Sequence, residues 1–249
     1  MKHRIIPTLL TSDNSLVKGT CFNNWRTVGS ISAAANLYAS RDVDELIVID
    51  VNARERKTVI DANIVEMFAT VLRVPLSVGG GVNSVEDATK LLNTGAEKII
   101  LGTSAFKNPT LISEIANKFG TQAVCVTIDI PSDNPNEFCV NSGNQIIQVN
   151  ALKFAEECVA LGAGEIIVQS ILRDGTRQGM DLNTIKLFCD KLSVPVVASS
   201  GAGCDNDFLD AIRVGASAVA AGSIFQFTET TPLMIKNFLK SNGVLVRES

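Results

Sequence analysis

The sequence is short of several things that chemistry often depends on. It has one histidine, His3, so a histidine-based triad or a His-rich metal site is nearly excluded. Acid–base work then falls to Asp, Glu, Lys or Cys. It has no CxxC pair: the six cysteines (Cys21, Cys125, Cys139, Cys158, Cys189 and Cys204) are scattered, several of them inside apolar runs. That pattern suggests reduced, packed thiols in a cytoplasmic protein. It has no apolar run near the ~18 residues that a bilayer span needs, and the apolar stretch of "MKHRIIPTLL" is too short and broken by Pro7 for a signal peptide. It has no basic excess either. A net charge of −4 argues against nucleic acid as a main partner but leaves room for a local basic pocket that takes a small phosphate ester. No metal or redox cofactor is indicated.

What is present is a folded, water-exposed chain of 249 residues, 46% hydrophobic and 19% charged, long enough for a substantial core. Apolar, often β-branched runs alternate with stretches of helical period. The strands read as Arg4–Leu10, Glu45–Val51, Pro75–Val78, Lys98–Leu101, Ala123–Asp129, Glu165–Gln169, Pro195–Ser199 and Ala218–Ala221. Helix patterns such as "SVEDATKLLNTGA" and "NALKFAEECVALGAG" lie between them, the latter stopped by glycines. Eight βα units in this length predict a single closed (β/α)8 barrel domain, residues 1–249. One segment breaks the rhythm: "DNPNEFCVNSGNQIIQV" reads as a β-hairpin inserted after the fifth strand, turning at Ser142-Gly143.

The chain also resembles itself. "VPLSVGGGVNSVEDATKLLNTGAEKIILGT" (74–103) and "VPVVASSGAGCDNDFLDAIRVGASAVAAGS" (194–223) match without gaps at an offset of 120. Val74, Pro75, Gly81, Asp87, Gly95, Ala96 and Gly102 recur, as does Glu45 in Glu165. Two fused half-barrels, about 1–120 and 121–249, would produce this pattern. The loops after the strands form the functional face of such a barrel. There the second half supplies "SSGAG" (Ser199, Gly201) and "AGS" (Gly222, Ser223), and the first half "GGGV" (Gly81) and "LGTS" (Gly102, Thr103). Small residues let backbone N–H groups approach an anion closely. Two such cradles across one mouth suit a long substrate with a phosphate at each end.

One strand end departs from the others. "LIVID" finishes on Asp50 and "AVCVTID" on Asp129, but the first strand finishes on Leu9 and Leu10, with Asp13 the nearest carboxylate.

From end to end, "HRII", "VKGT.F", "DELIVID", "VPLSVGGGV", "GAEKI", "FGTQAVCVTID", "GAGEI", "RDGTRQGMD", "VPVVASSGAG" and "NGVLVR" resemble the cyclase subunit of imidazole glycerol phosphate synthase. The resemblance implies a lyase-type barrel that receives ammonia from a separate glutaminase subunit and uses it on a bisphosphorylated ribonucleotide. It implies an ammonia entrance at the N-terminal face formed by Arg4, Glu45, Lys98 and Glu165. Glu97, Lys98 and Gln122 then fall near the glutaminase contact. It assigns Asp129 as one catalytic acid, Lys18 as the first-loop lysine that closes over the site, and Asp174 with Gly175 of "RDGT" as substrate contacts. The other family acid aligns with Leu10, and the family's usual Asn of the first-half phosphate site aligns with Gly102. Three functions follow: a histidine-pathway cyclase in which Asp13 replaces the lost acid; a divergent homologue that passes ammonia to another acceptor, such as a cell-surface sugar; or a phosphate-binding regulator of the glutaminase without its own catalysis.

Overall fold

A computed structural model describes residues 2–41, 43–132 and 135–247. In chain order its elements are β1 (Arg4–Ser12), β2 (Ser15–Thr20), β3 (Asn23–Ser30), α1 (Ile31–Ala39), β4 (Leu46–Asp50) and α2 (Ala62–Val71). Then come β5 (Leu76–Gly79), α3 (Val85–Asn93), β6 (Lys98–Leu101), α4 (Thr103–Lys107), α5 (Thr110–Phe119) and β7 (Val124–Ile130). The hairpin strands β8 (Phe138–Val140) and β9 (Gln145–Ile147) precede α6 (Ala151–Ala160), β10 (Glu165–Ser170), α7 (Leu182–Lys191) and β11 (Val196–Ser199). The chain finishes with α8 (Asp205–Arg213), β12 (Ala218–Ala221), α9 (Ser223–Phe227) and α10 (Pro232–Ser241).

Eight strands, β1, β4, β5, β6, β7, β10, β11 and β12, are hydrogen-bonded side by side, and β1 pairs with β12 to close the barrel. All eight pairings are parallel, with helices packed outside. Residues alternate between two environments, as strand geometry requires. One set (Leu9, Val48, Val78, Leu101, Val126) joins the layer under the helices. The other (Ile6, Ile47, Ile100, Cys125, Ile167, Val197, Ala220) fills the barrel interior. The offset of 120 persists in the elements: α3, β11 and α8 stand to the chain as Val85–Asn93, then Val196–Ser199 and Asp205–Arg213, and the last two repeat β5 and α3 residue for residue. The repeated aspartates have one shared task. Asp87 accepts from the Asn83 N–H at 3.1 Å, and Asp207 from those of Gly203 and Cys204 at 2.7 and 2.9 Å. Each ties a glycine-rich loop to the start of the helix that follows it.

The structure departs from the sequence reading at the first strand, which does not end at Leu10. β1 runs on to Ser12, turns at Asp13-Asn14 with φ of 48° and 59°, and pairs antiparallel with β2. A second two-residue turn at Cys21-Phe22, again with both φ positive, leads into β3. These are the turns that match the twist of paired strands. The expected hairpin after the fifth barrel strand is present as β8 and β9, turning through Ser142 and Gly143; Asp133 and Asn134 of that segment lie outside the described residues. Phe138 anchors it, stacked on Phe154 with centroids 4.6 Å apart and edge-on to Phe106.

Candidate active site

At the N-terminal end of the barrel four inward side chains form a closed ring. The Arg4 guanidinium donates to Glu45 at 2.6 Å and to Glu165, and the Lys98 ammonium to Glu45 at 3.0 Å and Glu165 at 2.8 Å. Ser77 adds a donor to Glu45 at 2.6 Å. Each charge touches two of opposite sign, which offsets the cost of burying them. Burial alone would push the Glu165 carboxyl up, but Arg4 and Lys98 outweigh it and hold it below its ordinary value. Burial would likewise lower Lys98, and the two glutamates instead raise it. Glu97 and Gln122 are exposed close by in sequence, at the starts of β6 and β7.

At the opposite end lies a cavity of about 540 Å³, with glycine loops from both halves in its wall. Gly81 and Gly201, at φ of 72° and 97°, occupy matching places; a Cβ there would lie 1.9 Å from the Thr58 carbonyl oxygen and 2.1 Å from that of Gly179. Only glycine fits both the backbone angle and that approach. Gly102, Thr103, Ser199, Gly222 and Ser223 also line the cavity, as do Asp129, Lys18, Asp174 and Gly175. The two cradles differ in detail. The Thr103 hydroxyl already accepts from the Asn141 N–H at 2.8 Å, whereas the buried Ser223 hydroxyl has no protein partner.

Asp129 stands at the end of β7 with Oδ1 accepting from Thr127 Oγ1 and Gln169 Nε2, both at 3.0 Å. Burial pushes its carboxyl up to about 6, with those two donors opposing and the Asp174 charge adding. Asp174 is itself raised by burial, against the pull of Lys18, whose ammonium lies 3.8 Å away. Lys18 is buried because β2 and β3 fold over the mouth. The Cys21 N–H donates to the Asp174 carbonyl at 2.9 Å, and Arg26 lies 5.2 Å above the Phe227 ring. The same fold brings Phe22, the last residue of "VKGT.F", and Trp25, which sequence reading did not single out, into the cavity wall.

Asp13 is not brought into this group. It sits in the β1–β2 turn, its side chain 76% exposed, paired with Arg56 at 3.2 Å. Arg56 also grips Asp50 at 2.5 Å. Both carboxylates border a second depression, and Asp50 also lines the central cavity. Leu10 does line the central cavity, in register with Ile49 of β4 and Val17 of β2. The structure thus places Asp13, the carboxylate expected to stand in for an acid at Leu10, in an exposed turn of two left-handed residues rather than in the wall of the central cavity. Thr127 and Gln169 were also passed over, although both are polar residues at inward positions of otherwise apolar strands. Among the described residues no cluster of His, Cys, Asp and Glu could hold a metal ion, and no helix is long and apolar enough to cross a membrane.

The closed barrel, with an ion-paired ring at one end and a cavity at the other that holds a buried carboxylate, has the architecture of a (β/α)8-barrel enzyme. The histidine biosynthesis protein family matches residues 4–231. The chain is 41% identical over 247 residues to the imidazole glycerol phosphate synthase subunit HisF of Campylobacter concisus, covering 98% of this chain and 97% of that one. It is 40% identical to the subunit of the same name from Exiguobacterium sibiricum, with 98% of each covered, and 38% identical to that of Pyrococcus furiosus, with 99% of each covered. The chain belongs to this histidine biosynthesis family, as a cyclase subunit of the imidazole glycerol phosphate synthase type.

Proposed function

We propose that the barrel takes ammonia from a glutaminase bound at its N-terminal face, through the ring of Arg4, Glu45, Lys98 and Glu165, and delivers it to an acceptor other than the family's bisphosphorylated ribonucleotide. The observation that carries this is Leu10, an aliphatic side chain where the relatives' chemistry calls for a second acid. Cleavage and ring closure of the ribonucleotide need protons moved at two places, and an alkyl chain moves none; loss of one positioned acid–base group costs about 10²- to 10⁴-fold. The exposed position of Asp13, paired with Arg56, supports reading this acid as not replaced.

What remains suits a simpler amination. When ammonia adds to an activated acyl carbon, the new C–N bond replaces the bond to the activating group, which leaves with that electron pair; nitrogen gives up one proton, and one base suffices to take it. Asp129, raised to about 6 by burial, is ionised above that pH and basic enough to accept it. Its Oδ1 is engaged by Thr127 and Gln169, which leaves Oδ2 for the proton. Lys18 and Ser223 supply cationic and hydroxyl contacts for a phosphate in the second-half cradle. Asp174, with Oδ2 unpartnered, accepts from a ligand hydroxyl. A sugar of a surface glycan that carries both a phosphate and an activated carboxyl group has these features. An apolar lumen between ring and mouth keeps ammonia from being protonated by bulk water.

The entrance is tested with a glutaminase of the same family and glutamine. The barrel is expected to raise glutamine hydrolysis, and Lys98→Ala or Glu165→Ala to uncouple it from product by tenfold or more. If both substitutions leave glutamine-driven product formation unchanged, the entrance is wrongly assigned.

A further inference from the structure

We infer that Gln169 is a positioning residue: it orients the Asp129 carboxylate and couples it to the second-half cradle. In the strand ladder Gln169 stands directly between Asp129 of β7 and Ser199 of β11. Its amide is engaged at both ends. Nε2 donates to Thr127 Oγ1 at 2.9 Å and to Asp129 Oδ1 at 3.0 Å, while Oε1 accepts from Ser199 Oγ at 3.2 Å. Thr127 Oγ1, holding one Gln169 proton, passes its own to the same Asp129 oxygen. Three adjacent strands are thus linked, at one level of the barrel, from the carboxylate to the first residue of "SSGAG".

The consequence is directional. With Oδ1 fixed by two donors, Oδ2 is the oxygen left to exchange a proton. Ser199 is the outer anchor of the amide and lines the cavity beside Gly201. An anion seated in that cradle competes for the Ser199 hydroxyl proton. Gln169 Oε1 then loses its partner, the amide is less firmly held, and Asp129 loses stabilisation of its charged form. Ligand binding would therefore make the carboxylate a stronger base. The coupling half of the inference rests on reading the cradle as an anion site; the orienting half does not. The other groups facing Asp129 are Asp174 after β10, with Lys18 behind it, and Cys139, opposite Asp129 in the β7–β8 pairing. None of them is removed by the variants below.

The test follows the Asp129 carboxyl by ¹³C NMR in aspartate-labelled full-length protein, its resonance assigned by loss in Asp129→Asn. Without phosphate, Gln169→Leu should raise the titration midpoint by about one pH unit, the effect of deleting one hydrogen bond to a charged group. Ser199→Ala, with little change in volume, should move it the same way by less, and it carries the test if the leucine variant does not fold. Inorganic phosphate should then raise the wild-type midpoint more than that of either variant. Midpoints unchanged by both substitutions would overturn the orienting role. An equal phosphate shift in wild type and variants would overturn the coupling and leave only through-space repulsion. Absence of any phosphate-induced change in the wild type would instead fault the cradle as an anion site.

Discussion

At the scale of single residues, the ionisable groups divide into those whose charge the fold supports and those whose charge it resists. Asp129 belongs to the second kind. Its native carboxyl is raised from 3.8 to about 6 by burial, so between those values the native state holds a proton that the unfolded chain has released. Its contribution to stability is therefore full below about pH 4 and is lost as pH rises through about 6. Asp129→Asn removes that dependence. The variant should be more stable than wild type by roughly 3 kcal/mol at pH 7.5, and the difference should nearly vanish below pH 4, as urea unfolding at the two values would show. Glu165 is of the first kind. Its lowered value means support that is present at neutral pH and is lost as pH falls through the native value. A residue that destabilises the fold at working pH yet lines the cavity is what a proton acceptor requires.

At the scale of elements, the decisive piece is the β2–β3 extension that carries Lys18 into the cavity. Its seat is narrow: a Cβ on Gly175, at φ of 73°, would stand 2.5 Å from the Gly19 carbonyl oxygen. Gly175→Ala should therefore lift the extension from the 173–175 loop while leaving the barrel folded. Trp25, the sole tryptophan, is on β3 and reports the change. Its emission should shift to the red and its anisotropy fall, with unfolding by circular dichroism displaced by about 1–3 kcal/mol at most. Unchanged tryptophan emission would show that the extension does not depend on this approach. At the other end, Asp44 and Lys236 form a buried pair at 3.0 Å that fastens α10 beneath β1, where Asp44 also accepts from the Ile5 N–H at 2.8 Å.

At the scale of the whole molecule, the barrel was legible because its cause is periodic. Eight apolar runs, each followed by a helix pattern, leave few ways to bury every strand on both faces. The repeat added glycines and aspartates at a fixed offset, and these mark loops whose backbone must approach something closely. The four ring residues could be named because the family resemblance marks those positions, each at or beside the start of a barrel strand. The β2–β3 extension was not legible in this way. "SLVKGTCFNNWRTVGS" is largely polar, and its turns use Asp13-Asn14 and Cys21-Phe22 rather than the glycine pairs that usually signal hairpins. Nor could the sequence say where Asp13 points, because a two-residue turn decides that. Thr127 and Gln169 escaped notice because their meaning lies in a lateral contact between strands far apart in the chain.

The central claim is that the ammonia entrance has been kept while the chemistry at the mouth has changed. Its most direct test is turnover of the bisphosphorylated ribonucleotide by the purified protein with excess ammonium at mildly alkaline pH, beside Leu10→Asp. Negligible turnover by the wild type, with a gain of at least tenfold in Leu10→Asp, is the predicted result. Robust turnover by the wild type, unaffected by the substitution, would contradict it and return the chain to the histidine reaction without an acid at position 10.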